Sequence, residues 1–113
     1  MTLSDWLSDL ERRHPTEIDL GLERVRLVFE RLALSNRMPY SIIVGGTNGK
    51  GSTLQAISNG LSALGFRVGT YTSPHLYIFN ERVCLQGMQV DDETLVRAFE
   101  VVESARKDVS LTY

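Results

Sequence analysis

The sequence predicts an α/β fold in which a mostly parallel sheet is flanked by helices. Three neighbouring segments carry this prediction: an apolar run at residues 41–44, an amphipathic stretch at 52–64 and a second apolar run at 66–71. A short, continuous apolar run is typical of a strand buried on both faces of a parallel sheet. Strand, helix and strand with short connections predict a right-handed βαβ unit.

Helical periodicity predicts two helices before this unit and one after it. The first helix ends near Pro15, because the residue before proline avoids the helical region. Residues 22–34 form the second helix. The candidate N-caps are Ser4 or Asp5 for the first helix and Asp91 or Asp92 for the last.

The remaining connections are also readable from the pattern. Gly65 is the expected left-handed cap of the central helix. Residues 72–80 form a loop, and the alternating residues 81–86 form a short strand that ends at Gly87.

The composition is that of a single globular domain. The 113 residues are 42% hydrophobic and 23% charged, so the chain can bury a core. The net charge of −2 argues against a nonspecific nucleic-acid binder, which carries a basic surplus. No apolar run reaches the roughly 20 residues of a membrane span, and one cysteine, Cys84, fits a reducing compartment. We therefore expect a cytoplasmic protein with neither nucleic acid nor membrane as a partner.

A glycine-rich turn, GGTNGKGST at residues 45–53, lies between the first predicted strand and the central helix. Several backbone N–H groups aimed at one point bind phosphate, and glycines keep side chains out of their way. The helix beginning near Ser52 adds the positive end of its dipole. Lys50 supplies a mobile charge for the outer phosphates, and a hydroxyl just after it can bind Mg²⁺. The turn therefore predicts a nucleotide site.

This turn departs from the standard G-x-x-x-x-G-K-[ST] pattern. That pattern requires glycine at position 44, which is valine, and serine or threonine at position 51, which is glycine. The plain alternative is a strand-to-helix turn with an exposed lysine. The preceding strand, the following helix and the placed lysine together favour the phosphate site.

The variant turn resembles the P-loop of the Mur ligase superfamily, and its Lys-Gly-Ser order resembles the folylpolyglutamate synthase and dihydrofolate synthase branch. Three further stretches support the narrower resemblance. TSPHL at 72–76 with NERV at 80–83 resembles that branch's substrate loop. IDLGLERV at 18–25 resembles the pteroate-binding segment of the bifunctional bacterial enzymes, as do residues 103–113.

The resemblance implies a P-loop fold and ATP-dependent amide bond formation. ATP phosphorylates a carboxylate, and the amine of L-glutamate attacks the resulting acyl phosphate. The carboxylate belongs to 7,8-dihydropteroate or to the glutamate tail of a reduced folate. Such chemistry needs positioning and charge neutralisation more than a protein nucleophile. The implied cofactors are ATP and Mg²⁺, and the implied parent enzyme is a monomer.

The resemblance also implies roles for individual residues. Lys50 is the implied catalytic residue. The implied nucleotide contacts are Thr47, Asn48, Gly49, Lys50, Gly51 and Ser52. The implied metal contacts are Ser73 and Ser52. The implied contacts to 7,8-dihydropteroate are Asp19, Leu20, Gly21, Thr112 and Tyr113.

Each of these assignments has a structural alternative. Ser73 by itself reads as an ordinary turn serine before proline, and Asp19 as a helix-entry cap. Glu81 and Arg82 either hold the loop as a salt bridge, or Arg82 meets an anionic substrate. His75 is most simply structural.

The sequence shows no apolar strand after residue 53 that ends convincingly in a metal-binding acid. Family members place a metal-binding glutamate and histidine, a modified lysine and a C-terminal domain beyond the point where this chain stops. We therefore expect residues 1–113 to be the N-terminal part of the ATP-binding domain, inactive by itself. Its unfinished sheet edge could pair with a second copy of the chain.

Three alternatives remain at this stage. A non-catalytic nucleotide- or pterin-binding module would bind ligands without releasing phosphate. A small kinase would need a complete acidic metal site within the 113 residues. A ligase that adds amino acids in peptidoglycan synthesis is disfavoured by the pteroate-like stretch at residues 19–21.

Overall fold

The structure is a computed structural model that describes residues 1–13 and 21–111, except for the side chain of Ser35. The chain divides into two compact units, Met1–Pro39 with Asp92–Tyr113, and Tyr40–Asp91. The helices are α1 (Leu3–Arg12), α2 (Glu23–Arg31), α3 (Lys50–Ala63) and α4 (Asp92–Arg106). The strands are β1 (Gly69–Tyr71), β2 (Val83–Leu85) and β3 (Met88–Gln89), and short 3-10 turns cover Ser35–Arg37 and Phe79–Arg82.

The first unit packs α1 and α2 against α4. Its apolar core contains Leu3 and Trp6 from α1, Val28 from α2 and Leu95 from α4. The ring of Trp6 lies 5.9 Å from the ring of Phe99 on α4, centroid to centroid. Helical periodicity therefore identified core residues on each of these helices, but Leu22 and Val25, which share the helical spacing of Val28, are 69% and 57% exposed.

The N-cap of the first helix lies two residues before Ser4 and three before Asp5, the two predicted caps. Thr2 is the N-cap, and its hydroxyl accepts the N–H of Asp5 at 3.2 Å. The Asp5 carboxylate accepts the Thr2 N–H in return at 2.9 Å, which completes a capping box. The hydrogen bond from the Thr2 N–H, followed by that from the Thr2 hydroxyl, lowers the pKa of the Asp5 carboxyl. The prediction of Ser4 or Asp5 as the cap was wrong, because the acid of a capping box occupies the third helical position rather than the cap.

The second unit contains a small antiparallel sheet with the strand order β1-β2-β3. In the β2–β3 hairpin Leu85 lies opposite Met88, which leaves two turn residues between them. Those residues, Gln86 and Gly87, both have positive φ angles, of 54° and 82°. Two consecutive left-handed residues are the requirement of the tight hairpin turn that matches strand twist.

The predicted parallel sheet is not confirmed by this structure. Residues 41–44, predicted as its first strand, have no strand assignment and belong to no ladder of the described sheet. Residues 69–71 are a strand but pair antiparallel with β2. The physical reason lies in pairing: a buried parallel strand needs neighbours on its edges, and the described residues supply none for residues 41–44. Tyr40 and Ile43 are accordingly 95% exposed.

Other element boundaries moved by a few residues. The central helix α3 begins at Lys50 rather than at 52, and α2 covers less than the predicted residues 22–34. Gly65 has a φ of +92°, as its predicted capping role requires. The predicted helix end at Pro15 lies outside the described residues. Across the described ranges, no helix is long and apolar enough to cross a membrane.

Candidate functional site

The glycine-rich turn has the backbone shape that its sequence predicts. Gly46 and Gly49 have φ angles of +138° and +75°, which residues with a Cβ adopt at a cost. Gly49 is the N-cap of α3, and its carbonyl accepts the first helical hydrogen bond, from the N–H of Thr53 at 2.9 Å. The turn therefore delivers the chain directly into a helix of 14 residues.

The start of α3 is built to receive an anion. In the described structure no side chain caps this helix, and its first turn carries no acidic residue. The N–H groups at the first positions of a helix have no partner within the helix, and the helix dipole adds positive potential there. A phosphate group supplies the acceptors that such a helix start lacks.

Lys50 lies against the turn that precedes it. A Cβ built on Gly46 would be 3.8 Å from the Cγ of Lys50, so the lysine stem passes over that glycine. A Cβ built on Gly51 would meet nothing within 4 Å, so this glycine opens on free space. Residues 45–53 are all exposed, so the turn is accessible to a ligand. The residues present therefore fit a bound polyphosphate.

The second candidate segment is the loop at residues 72–78, which follows β1 and carries Ser73. Ser73 is exposed, and its peptide bond to Pro74 is cis. The loop begins with a hydrogen bond from the N–H of Thr72 to the carbonyl of Arg82, at 2.9 Å. Its start is thereby fixed to the segment that enters β2.

The far side of the same loop is held by the carboxylate of Glu81. This carboxylate accepts three consecutive backbone N–H groups, from Leu76 at 2.9 Å, Tyr77 at 2.8 Å and Ile78 at 2.7 Å. Hydrogen bonds from the N–H groups of Ile78, Leu76 and Tyr77 lower the pKa of Glu81. The carboxylate is therefore ionised throughout the neutral range.

His75 is held by Arg82 at the centre of the loop. The Nε of Arg82 donates to Nδ1 of His75 at 2.8 Å, which assigns the neutral imidazole proton to Nε2. The Arg82 guanidinium also lies 5.2 Å from the centroid of the Phe79 ring, and that ring meets His75 edge-on at 5.9 Å. Glu81 and Arg82 thus each hold the loop, as the first of the two sequence-based alternatives expected, and the second alternative, that Arg82 meets an anionic substrate, stays a prediction.

Asn80, the residue before Glu81, fixes the 3-10 turn Phe79–Arg82 to the sheet. Asn80 is buried, and its side-chain amide donates to the carbonyl of Val90 at 2.9 Å. Val90 is itself buried and donates its N–H to the carbonyl of Val83 at the start of β2. The turn that carries Glu81 is therefore anchored to the hairpin and is a firm base for the loop.

The structure places the predicted site residues in three groups. Seven of them lie in the unit Tyr40–Asp91: Thr47, Asn48, Gly49, Lys50, Gly51, Ser52 and Ser73. Gly21 is exposed just before α2, in the other unit. Asp19, Leu20, Thr112 and Tyr113 lie outside the described residues.

Within residues 1–13 and 21–111, no group of three or more His, Cys, Asp or Glu side chains could hold a metal ion. The hydroxyls of Ser52 and Ser73 remain the candidate oxygen ligands, and Mg²⁺ suits them because it binds through few protein oxygens and keeps several waters.

The sequence suggested that Glu81 helps to hold the loop as part of a salt bridge, but it did not reveal that its carboxylate accepts backbone N–H groups of the loop. A signal was present, since an acid three residues after the start of a turn can reach back to the first N–H groups, as in a capping box. Ile78 and Glu81 have that spacing. The additional bonds to Leu76 and Tyr77 depend on the path of the loop, which spacing does not determine.

Curated relatives and solved structures match almost the whole chain. No protein-family model matches it. A curated relative, the dihydrofolate synthase/folylpolyglutamate synthase of Escherichia coli K12, is 48% identical over 111 residues, which are 98% of this chain and 26% of the relative.

Two solved structures have the same fold over the full chain. The E. coli FolC in complex with DHPP and ADP superposes with a TM-score of 0.93 at 47% identity, covering 100% of this chain and 27% of that one. The bifunctional folylpolyglutamate synthase/dihydrofolate synthase from Yersinia pestis, complexed with AMPPNP and Mn ion, gives a TM-score of 0.93 at 45% identity, covering 100% and 28%. The chain thus spans about a quarter of the length of these relatives.

Proposed function

Because the chain belongs to the dihydrofolate synthase/folylpolyglutamate synthase family, we propose that its parent protein is an ATP-dependent ligase of folate biosynthesis. The proposed ligase adds L-glutamate to 7,8-dihydropteroate and to folylpolyglutamate. The observation that carries the proposal is the glycine-rich turn at residues 45–53. This turn leads into the start of α3, which no described side chain caps, and the side chain of Lys50 passes over Gly46 in the turn. The nucleotides ADP and AMPPNP in the solved relatives support it.

The proposed reaction has two steps. A carboxylate oxygen of the folate precursor attacks the γ-phosphorus of ATP, the bond to ADP breaks, and an acyl phosphate forms. The amine nitrogen of L-glutamate then attacks the acyl carbon, phosphate leaves, and the nitrogen loses a proton as the amide forms. Neither step needs a protein nucleophile, so the chain contributes orientation and neutralisation of negative charge.

The phosphate-binding turn has a defined part in this scheme. Thr47, Asn48, Gly49 and Gly51 present backbone N–H groups to the phosphates of ATP, and the ammonium of Lys50 neutralises charge that develops on the transferred phosphoryl group. Ser52 and Ser73 are the hydroxyls that would hold Mg²⁺. When bound, this ion withdraws charge from the phosphate oxygens. The Mn ion in the Yersinia pestis relative supports a divalent metal.

The proposed site for 7,8-dihydropteroate is formed by Asp19, Leu20, Gly21, Thr112 and Tyr113. The support is the whole-length similarity to a relative that binds DHPP, a pterin substrate. Gly21 is the member of this group that the structure describes, and it is exposed before α2. The family name, which includes folylpolyglutamate synthase, supports L-glutamate and reduced folates as further substrates.

We also propose that residues 40–44 belong to a parallel sheet in the full ATP-binding domain, of which this chain is the N-terminal part. Tyr40 and Ile43 are 95% exposed and Ile42 is 53% exposed, so three large apolar side chains within four residues are left uncovered. The 113-residue chain alone is then catalytically inactive, and the parent is a cytoplasmic monomer.

Isothermal titration of the chain with Mg-ATP tests the proposed nucleotide site. We expect saturable binding that Lys50→Ala removes. Arg12→Ala, which deletes one positive charge from the exposed end of α1, is the matched control and should leave the affinity unchanged. No heat of binding at millimolar ATP, or equal binding by the lysine variant, would overturn the site.

Phosphate release distinguishes a ligase from the alternative of a binding module without catalysis. This chain spans about a quarter of the length of its relatives. We expect no phosphate release by the 113-residue chain with ATP, 7,8-dihydropteroate and L-glutamate, and release by the full-length gene product. A full-length product that binds all three ligands without turnover would refute the ligase proposal.

A further inference from the structure

The loop that carries Ser73 is fixed on both sides of that residue by one short segment. Before Ser73, the N–H of Thr72 donates to the carbonyl of Arg82 at 2.9 Å. After it, the N–H groups of residues 76–78 converge on the carboxylate of Glu81 at 2.7–2.9 Å. The exposed serine thus lies in a span of three residues between two anchors.

Burial of side chains does not account for the shape of the part of this loop that follows His75. His75 is half-buried against the Phe79 ring, but Leu76 is 83% exposed and Tyr77 is 88% exposed, so neither of these two packs its side chain into a core. An exposed segment of this kind samples many conformations, unless polar contacts restrict it. The convergence of three N–H groups on one carboxylate is such a restriction, because hydrogen bonds to an ionised acceptor are about twice as strong as neutral ones.

The segment that carries the Glu81 carboxylate is itself fixed to the sheet. Glu81 lies in the 3-10 turn Phe79–Arg82, which continues directly into β2. The neighbouring Asn80 is 6% exposed and bonds the carbonyl of Val90. The Glu81 carboxylate therefore attaches residues 76–78 of the exposed loop to a segment that is fixed to the sheet.

We propose that Glu81 is a positioning residue that holds Ser73 in place for the metal ion of the nucleotide. This inference rests on the proposed function, in which Ser73 contacts Mg²⁺. Glu81 itself touches neither metal nor nucleotide in this scheme. It reduces the conformational entropy that the loop would lose when the ion binds, which is how preorganisation raises affinity.

The role predicts a metal-specific defect. Removing the carboxylate should weaken binding of Mg-ATP but leave the affinity for ATP in the presence of a chelator unchanged, because the P-loop holds the phosphates without Ser73. We expect Glu81→Ala to lower the affinity for Mg-ATP about tenfold, the size of effect that supporting residues have at metal sites. Ser73→Ala should lower it by the same factor.

The double variant Ser73→Ala with Glu81→Ala provides the decisive comparison. If Glu81 acts through Ser73, the double variant is no weaker than either single variant. Glu81→Gln keeps one acceptor oxygen and should lie between the wild type and Glu81→Ala. Glu30→Ala, which removes an exposed carboxylate from α2 in the other unit, is the matched control and should bind as the wild type does.

Four other outcomes would overturn the inference. Equal losses with and without metal would mean that Glu81 only supports folding. Wild-type affinity in Glu81→Ala, beside a weakened Ser73→Ala, would refute the positioning role and leave the proposed function intact. If Mg²⁺ does not strengthen ATP binding by the wild type, or Ser73→Ala has no effect, the proposed metal contact fails and the positioning role fails with it.

Discussion

Nη1 of Arg13 lies 2.8 Å from Oε2 of Glu103, so the residue that follows α1 is joined directly to α4. Arg106 donates to the same carboxylate from one turn further along α4, at 2.6 and 2.7 Å. Asp9 completes the cluster, 2.6 Å from Arg13. Hydrogen bonds from Arg106 and Arg13 lower the pKa of Glu103 from 4.5 to about 2.

The low pKa of Glu103 predicts how the stability of the chain depends on pH. A carboxyl whose pKa is depressed by folding stabilises the folded state above its unfolded pKa, and this contribution is lost as pH falls through the folded pKa. The loss attributable to Glu103 therefore occurs between about pH 4.5 and about pH 2. Because the side chains are 24–33% exposed, solvent screening limits the expected contribution to about 1 kcal/mol.

Thermal unfolding of wild type and Glu103→Gln at several pH values measures this contribution. The variant should be less stable at pH 7, and the difference between the two proteins should shrink towards pH 2. Glu30→Gln, a change at an exposed position on α2, should track the wild type throughout. A constant difference between pH 7 and pH 2 would show that the cluster does not depend on the ionised form.

The capping box of α1 predicts a second stability effect. Thr2→Ala removes the hydroxyl that accepts the Asp5 N–H and should cost about 1 kcal/mol of unfolding free energy, as loss of an N-cap does. Thr2→Ser keeps the oxygen and should cost far less. Urea denaturation of the two variants checks this, and equal stabilities would mean that the cap is not formed in solution.

Features that depend on local chemistry were predictable from the sequence. Gly49 and Lys50 mark the turn into α3 because a left-handed residue before a helix favours glycine, whatever the rest of the chain does. The left-handed Gly65 follows from the same constraint at the other end of that helix. The apolar face that contains Trp6 follows from helical periodicity.

Features that depend on distant partners were not predictable. Residues 41–44 have the composition of a buried strand, but a strand forms only where a neighbour supplies its hydrogen bonds. The pairing of Tyr71 with Val83 encloses a loop of eleven residues, and nothing in either strand specifies the other. The hydrogen bonds that the N–H groups of residues 76–78 donate to the Glu81 carboxylate likewise depend on how that loop folds back.

Substitution by alanine should change the stability of the chain in opposite directions at two glycines of α3, Gly60 within the helix and Gly49 at its N-cap. Gly60 lies within α3, and a Cβ there would meet nothing within 4 Å, so Gly60→Ala should stabilise the chain by about 0.5–1 kcal/mol. Gly49 has a φ of +75°, so Gly49→Ala should destabilise the chain by about 1 kcal/mol. It should also weaken ATP binding.

Thermal unfolding and titration with Mg-ATP separate the two glycine effects. Gly60→Ala should raise the melting temperature and leave ATP affinity unaltered, which makes it the control for helix stability. Wild-type ATP affinity in Gly49→Ala would show that the left-handed cap is not needed to shape the phosphate-binding turn.

The exposed apolar segment at residues 40–44 predicts self-association. Tyr40 and Ile43 are 95% exposed and adjoin Ile42 at 53%, and apolar residues with unused strand potential readily pair with another chain. Light scattering should show a mass that rises above that of the monomer as concentration increases.

Ile43→Lys places a charge on this segment and should restore the monomer. Leu64→Lys, at a 76% exposed position next to the end of α3, is the control for surface hydrophobicity in general. A monomeric wild type at high concentration, or equal rescue by both lysines, would show that residues 40–44 are not the pairing edge.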